Sequence, residues 1–483
     1  MRASRTDLLI TAVFATVLLA NIAHHEMWRD ETLAWMIART ADTPARLFAA
    51  LHYDGHPGLW HILLWPLTRL TANPAAMQGL HALLGLAIIA MVGLASPFTR
   101  WERALVLGGY FLSYEYTVIS RNYAIGVLLA LLHVQARLRA PDAITRNTAL
   151  LALLANTNVF AGFLSGALAL DYARERLMAG TPPRRLLPGA LLYLAGLALA
   201  IATVWPAADR SLEIVHPITF QPNPGSILAS LVRFVGIGLA PVLDMLPRDT
   251  LAGLLREDAG LPEALPFLAP ALALLACAIL ALRGSRAAVG IFLLTTLAAA
   301  LFGHLIYAVA LRHWGIVFTA FLACLWLTRG AGAPPNRFAT VLLALGVLAG
   351  GRMAAIQWTI PFSMAGPTAR WIAASPSANR TLVGWKDAHT ANVAALLGRD
   401  ITMPQCRCTA PRAVFDRTRD GFARDQLPAS LARLAPPGSL FLSTEPLTMD
   451  ERAALARRGR PASLLTSQTG AWTDENFWVY ALD

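Results

Sequence analysis

Charge is scarce in this chain. Only 14% of its 483 residues are Asp, Glu, Lys or Arg, against 56% apolar residues, and the mean hydropathy is +0.51. That balance excludes an ordinary soluble globular domain and, still more firmly, a disordered one. Lysine is nearly absent: Lys386 is the only one, so the 40 basic residues are otherwise all arginine. The arginines are scattered through short loops, and in a sequence so rich in Ala and Leu their excess over lysine reads as genome composition. The net charge of +11 therefore does not point to nucleic acid as a partner. Cysteine is scarce as well, and none of the four has the spacing of a zinc site. Cys277 and Cys324 lie in apolar runs and read as packing residues. Cys406 and Cys408, in "QCRC", fit either a cramped disulfide or two free thiols. Internal repeats and low-complexity segments are lacking too.

What the chain has is a series of apolar windows of about 20 residues, enough to cross a hydrocarbon core of roughly 30 Å. It reads as a polytopic membrane protein whose N-terminal "MRASRTD" leads an uncleaved signal-anchor. Arginine-bearing breaks ("TRWER", "ARLRAPDAITR", "RERLMAGTPPRR", "RGSR", "RGAGAPPNR") belong on the cytoplasmic side. A consistent path has spans near 7–24, 75–97, 103–120, 122–139, 147–157, 158–175, 186–206, 265–283, 287–311, 314–329 and 338–358. This gives about eleven transmembrane helices, with the N-terminus inside and the C-terminus outside. Residues 226–260 must then cross an even number of times, and a surface-lying or re-entrant segment is expected. The domain division is 1–361 for the membrane part and 362–483 for a small soluble α/β domain. Two regions lie outside the bilayer. The loop 25–74 carries juxtamembrane helices, including the apolar but short "GLWHILLWPLTRL". In the tail, "RTLVGW", "DITMP", "GSLFLST" and "FWVYALD" read as strands, "DAHTANVAALLG" and "MDERAALARRG" as helices.

Ionisable groups at membrane depth are costly, of order 2.5–3.5 kcal/mol each on insertion scales. On this path the informative ones gather at one face: Asp30 and Glu31 in "WRDETLAWMIA", "YDGHPGLWH" with Tyr53 and His56, "YEYTVISRNY" with Glu115, Arg121 and Tyr123, and "LRHWG" with Arg312 and His313. Each has a plain alternative. Asp30 and Glu31 suit a helix N-terminus, His56 a turn before Pro57, Arg121 a neutral pair with Glu115, and His313 an interface. Four such features on one face favour function. Arg121 and Arg312 also lie on the side where the positive-inside rule does not put arginine.

"WRDETLAWMIA", then "YDGHPGLWHILL", then "ISRNYAIGVLLALL" resemble the GT-C superfamily of polytopic glycosyltransferases. The resemblance is to the branch holding protein O-mannosyltransferases and the aminoarabinose transferases of lipid A. It covers about the first 175 residues, more loosely the helices to 358, and none of the tail. Gly58 stands where that branch has the second proline of its H-P-P-L motif, and Glu115 lies farther upstream of the R-x-Y arginine than is usual. The "NTN" turn, Asn156 to Asn158, stands where a histidine is often found.

The resemblance implies a GT-C-like membrane all-α fold and transfer of a hexose or pentose from a polyprenyl-phosphate (undecaprenyl-type) donor. The acceptor is a glycan, lipid or protein outside the inner membrane of a bacterium. Such a displacement needs a base for the acceptor hydroxyl and fixed positive charge for the departing phosphate. Asp30 is the expected base, with Glu31 as orienting partner or backup. Arg121 and Arg312, with Tyr123, are expected on the donor phosphate; His56, Tyr53, His313 and Glu115 on the substrates. A divalent cation (Mg or Mn) on Asp30 and His56 is left open, because some members of the superfamily use one and others do not. Membrane lipids are the other partners. The rival reading is a lipid or glycolipid transporter, whose polar residues would sit near mid-membrane in two related halves. The tail is expected to be dispensable for the chemistry and to serve the acceptor.

Overall fold

The computed structural model describes residues 4–211, 223–245, 248–256, 259–307 and 309–483. The membrane part begins with α1 (Arg5–His24), followed by three short helices in the expected juxtamembrane loop: α2 (Arg29–Thr40), α3 (Pro44–Asp54) and α4 (Leu59–Leu70). Then come α5 (Ala75–Ala90), α6 (Arg100–Gly108), α7 (Tyr123–Arg139), α8 (Ile144–Ala155), α9 (Val159–Met178) and α10 (Pro183–Val204). The series ends with α11 (Pro224–Leu239), α12 (Arg248–Leu255), α13 (Leu261–Leu282), α14 (Arg286–Leu305), α15 (Leu311–Trp314), α16 (Ile316–Gly330) and α17 (Arg337–Thr359).

Among the described residues seven helical segments are long and apolar enough to cross a membrane: Arg5–His24, Ala75–Ala95, Pro183–Val204, Leu261–Leu282, Arg286–Leu305, Leu311–Gly330 and Arg337–Thr359. Several of them expose leucine and isoleucine: Leu9 on α1, Leu191 and Ile201 on α10, Leu265 and Leu272 on α13. Water would penalise such a belt; lipid does not. The protein is an integral membrane protein. Among the helices of the membrane part α16 is almost wholly buried and α7 is buried over most of its length.

The other four expected spans take shorter or more charged forms. Segment 103–120 is not one helix, because α6 stops at Gly108 and the chain resumes as a π-turn over Phe111–Glu115. The break is a close approach of backbones: a Cβ on Gly346 of α17 would lie 3.6 Å from Gly109 Cα, and one on Gly350 would overlap the Gly108 carbonyl. Small residues four apart allow this contact. The segments 122–139, 147–157 and 158–175 are α7, α8 and α9, of 17, 12 and 20 residues, and α9 ends in Asp171, Arg174, Glu175 and Arg176. Asn158 caps α9 by accepting from the Ala161 N–H at 2.9 Å, which makes "NTN" the expected turn.

Of the two forms expected for 226–260, surface-lying or re-entrant, the surface-lying one is corrected so far as that stretch is described. Helix α11 is buried from Val232 to Leu239 and packs among α13, α14 and α16. Its small residues permit this: Ser230 Oγ donates to the Ala300 carbonyl at 2.8 Å.

The C-terminal part is a sheet domain with α18 (Ala365–Ala374), β1 (Leu382–Trp385), α19 (Asp387–Leu397), β2 (Ile401–Met403), β3 (Cys408–Ala410), α20 (Leu427–Leu434), β4 (Ser439–Ser443), α21 (Met449–Arg457), β5 (Ala462–Gln468) and β6 (Phe477–Leu482). The strand order is β3-β2-β1-β4-β6-β5, with β1 parallel to β2 and β4 and the remaining pairings antiparallel. Alternation divides the core: Leu382, Leu440, Leu442 and Val479 pack with α18 and α19, while Val383, Phe441, Tyr480 and Leu482 pack with α20 and α21. Cys406 and Cys408 form a disulfide.

Candidate active site

Helix α2 carries two neighbouring carboxylates that point different ways, since adjacent helical residues do not share a face. Glu31 is fully buried. It accepts the Trp28 N–H at 3.2 Å, the Ser120 N–H at 2.7 Å and His25 Nε2 at 2.8 Å. Both of its oxygens are thus engaged in fastening the start of α2 to the segment before α7. Asp30 faces a cavity and pairs with two arginines distant in sequence, Arg121 at Nη1 and Arg312 at Nη2, the latter at 3.2 Å. Burial raises the Asp30 carboxyl, but Arg121, Arg312 and Arg29 outweigh it and hold the group down at about 2.

Aromatic rings hold those arginines in place. Arg121 lies 5.9 Å from the Tyr123 ring, and Arg312 lies 5.3 Å from that of Trp28. Tyr123 stacks on Tyr116 at 5.1 Å, and Tyr116 Oη donates to the Arg312 carbonyl at 2.7 Å. The two cation-bearing segments are therefore cross-tied behind the site.

On the other side of Arg121 stands His56, whose Nε2 lies 3.2 Å from Arg121 Nη2 while its Nδ1 lies 3.0 Å from Asp54 Oδ2. Guanidinium can only donate, so Nε2 accepts and the ring proton sits on Nδ1, donated to Asp54. Burial raises the Asp54 carboxyl, yet His56, His61 and Arg121 drive it well below the usual carboxylate range. Gly55, at φ 80°, closes α3 in the left-handed region and leaves room for Arg210: a Cβ there would stand 3.0 Å from Arg210 Nη2.

His56, Tyr123, His313, Asn158 and Arg210 form the polar end of a cavity of about 1240 Å³ counting its open mouth. Its walls are Val159, Phe160, Ile201, Val204, Phe302 and Ile306, a lining suited to a hydrocarbon chain below a polar head. A smaller cavity runs from Asp30 and Arg29 along α2 to Asn392, Arg412 and Phe415 of the sheet domain.

Seven of the nine expected residues thus fall at or directly behind one site; Tyr53 and Glu115 line neither cavity. Tyr53 Oη donates to Asp209 at 2.7 Å, tying α3 to the loop after α10, and Glu115 accepts from Tyr110 Oη at 2.6 Å. The His313 ring is buried against Phe160, and its Nδ1 accepts the Ala310 N–H at 2.8 Å. Arg121 pairs with Asp30 and His56, so the alternative of a neutral pair with Glu115 is not needed to account for its burial. Asp54, two residues before His56, belongs to the site although the motif gave it no role. Arg210 and the sheet-domain residues carry no sequence signal at all, being brought in from far along the chain.

A divalent cation does not suit these residues. Arg121 contacts both Asp30 and His56, so a guanidinium fills the position a shared ion would take. Among the described residues no group of three His, Cys, Asp or Glu side chains is placed to hold a metal.

The sheet domain is not merely tethered nearby. Asp474 takes Arg29 Nη1 at 2.6 Å, Glu475 takes the Arg29 N–H at 2.8 Å, and Asn392 Oδ1 takes Thr32 Oγ1 at 2.8 Å. Asp474, Glu475 and His389 of the tail thus gather around Arg29 at the start of α2.

No protein-family model matches the sequence, and no curated protein matches it significantly. The chain is similar in structure to ArnT from Cupriavidus metallidurans bound to undecaprenyl phosphate, with 15% identity over 98% of this chain and 97% of that one and a TM-score of 0.44. For the same protein in the apo state the figures are 16% identity, the same coverage and a TM-score of 0.43.

Proposed function

We propose that the protein is an integral-membrane glycosyltransferase that moves a hexose or pentose from a polyprenyl-phosphate donor to a glycan, lipid or protein acceptor, with inversion. In this reading residues 1–361 form the membrane domain of a bacterial inner-membrane protein. Residues 362–483 stand with the active site on the periplasmic side, and the N-terminus is cytoplasmic.

The observation that carries the proposal is the convergence of Arg121 and Arg312 on one carboxylate, next to an apolar cavity whose polar end includes His56, 3.2 Å from Arg121. Two guanidinium forks around an oxyanion match the needs of a phosphate. With no donor bound, Asp30 takes the place of the phosphate oxygens. When the donor enters with its tail between α9, α10 and α14, its phosphate draws the arginines onto itself. Asp30, relieved of the charges that held it at about 2, then recovers ordinary carboxylate basicity. The acceptor oxygen attacks the anomeric carbon and its proton passes to Asp30. The bond from that carbon to the phosphate oxygen breaks, and the lipid phosphate leaves as an anion held by Arg121 and Arg312. Tyr123, His56 and His313 border the space for the sugar and phosphate.

The test is consumption of synthetic undecaprenyl-phosphate sugars by the purified protein. Wild type should release undecaprenyl phosphate from at least one, and Asp30→Asn should release almost none. A transporter would consume none, and equal turnover by Asp30→Asn would remove the base from the mechanism.

A further inference from the structure

Resting on that reading of Asp30, we infer that Glu475 of the sheet domain is a positioning residue for the active site: by holding the first turn of α2 it sets where Asp30 stands between the two arginines. Glu475 lies just before β6 and is fully buried. Its Oε1 accepts the backbone N–H of Arg29 at 2.8 Å, and Arg29 is the first residue of α2. That N–H is one of the donors a helix start leaves unsatisfied, and among the described residues its acceptor comes from the sheet domain. Its Oε2 accepts Asn392 Nδ2 at 2.8 Å and the Ser363 hydroxyl.

A second tie runs one turn along. Asn392 Oδ1 accepts from Thr32 Oγ1 at 2.8 Å, so the same asparagine joins Glu475 to α2 on either side of Asp30. Meanwhile Asp474, itself 3.0 Å from His389 Nε2, draws the Arg29 guanidinium away, leaving it 4.0 Å from Asp30. Arg121 and Arg312 are thus the nearer partners of Asp30, with Arg29 acting on it from farther off. Together Glu31 clamps this turn from the membrane side and Glu475 from the sheet domain, with Asp30 projecting between them.

The groups facing Glu475 are Arg29, Ser363 and Asn392, with Asp474 and His389 beyond. Burial pushes its carboxyl up to about 7 despite these partners. Glutamine at this position keeps one acceptor oxygen, the one that the Arg29 N–H requires.

A binding cycle with undecaprenyl phosphate tests the inference on the full-length protein in detergent. Asp30→Asn should bind the lipid phosphate about tenfold more tightly, since it stops competing for the arginines. Glu475→Ala, which frees Asp30 from its post, should tighten binding about threefold and add nothing further in the Asp30→Asn background. Hydrogen exchange at residues 29–33 should quicken in the same variant, and Glu475→Gln should restore both properties towards wild type. Thr32→Val, which cuts the second tie from the α2 side, should act in the same direction should Glu475→Ala fail to fold. Unchanged binding in Glu475→Ala and Thr32→Val beside a clear Asp30→Asn effect would overturn the positioning role alone. An Asp30→Asn protein that binds no more tightly than wild type would instead remove the reading of Asp30 on which it rests.

Discussion

Substituting Asp30 by asparagine should separate binding from turnover, and the structure gives a scale for both. The carboxyl is held at about 2 against an ordinary 3.8, a gap that corresponds to roughly 2–3 kcal/mol of net attraction to its arginines. A donor phosphate must overcome that attraction to claim Arg121 and Arg312. Removing an attraction of that size would tighten phosphate binding by roughly 30–150-fold if nothing replaced it. The neutral amide still occupies space and its oxygen still accepts a hydrogen bond, so about tenfold is expected. Turnover should move the other way, falling by roughly 10²–10⁴ as the proton acceptor is lost. The assay is equilibrium binding of undecaprenyl phosphate beside sugar release from its glycosylated forms, on the same preparation. Weaker binding together with preserved release would refute the reasoning, because it would mean that Asp30 holds the ligand and accepts no proton. A linkage measurement supplies a check. Since the folded carboxyl is depressed, its contribution to stability is present above about pH 4 and is lost as pH falls towards 2. The melting difference between wild type and Asp30→Asn should therefore be flat above about pH 5 and shrink below 4.

Arg121→Lys and Arg312→Lys should each retain charge but lose the fork, cutting turnover by about 10–100-fold while leaving measurable activity; full activity in both would dissolve the phosphate site. Asp54→Asn should release the His56 ring from its tautomer and lower turnover by about tenfold, with a changed pH profile; an unchanged profile would make Asp54 a packing residue. Gly350→Ala places a methyl against the Gly108 carbonyl and should cost about 1–3 kcal/mol of stability, read as a lowered melting temperature in detergent, without changing lipid-phosphate affinity.

Much of the membrane part was legible because lipid imposes a simple rule on long helices: apolar windows without charge become spans. The rule fails where burial is by protein. Helix α11 falls in the stretch expected to lie on the surface or re-enter, and its small residues let it sink among α13, α14 and α16. The third expected span looked continuous in hydropathy, but Gly108 and Gly109 meet Gly346 and Gly350, and that backbone contact breaks the helix where no composition signal lies. In the sheet domain the strands with strict apolar cores were legible. Strand β5 was not, since Leu464 and Leu465 are exposed on an edge and its pattern is set by pairing with β6.

The site shows the same division between near and far. Asp30, His56 and Arg121 could be singled out because each is an ionisable or polar group where a bilayer tolerates few, and a costly group that persists has a partner or a task. Here the partners are one another, and on the proposed reading that pairing is the state the donor phosphate displaces. Sequence distinguishes Asp30 from Glu31 poorly, because adjacent carboxylates look alike until their environments are known. The structure separates them by contact, Glu31 sealed under Trp28, His25 and Ser120 and Asp30 open to the cavity. What no local pattern could give is the far side of α2. Glu475 and Asn392 reach it from more than 350 residues away, and a tail that looks like an accessory on hydropathy alone is, by these bonds, part of what fixes the proposed base.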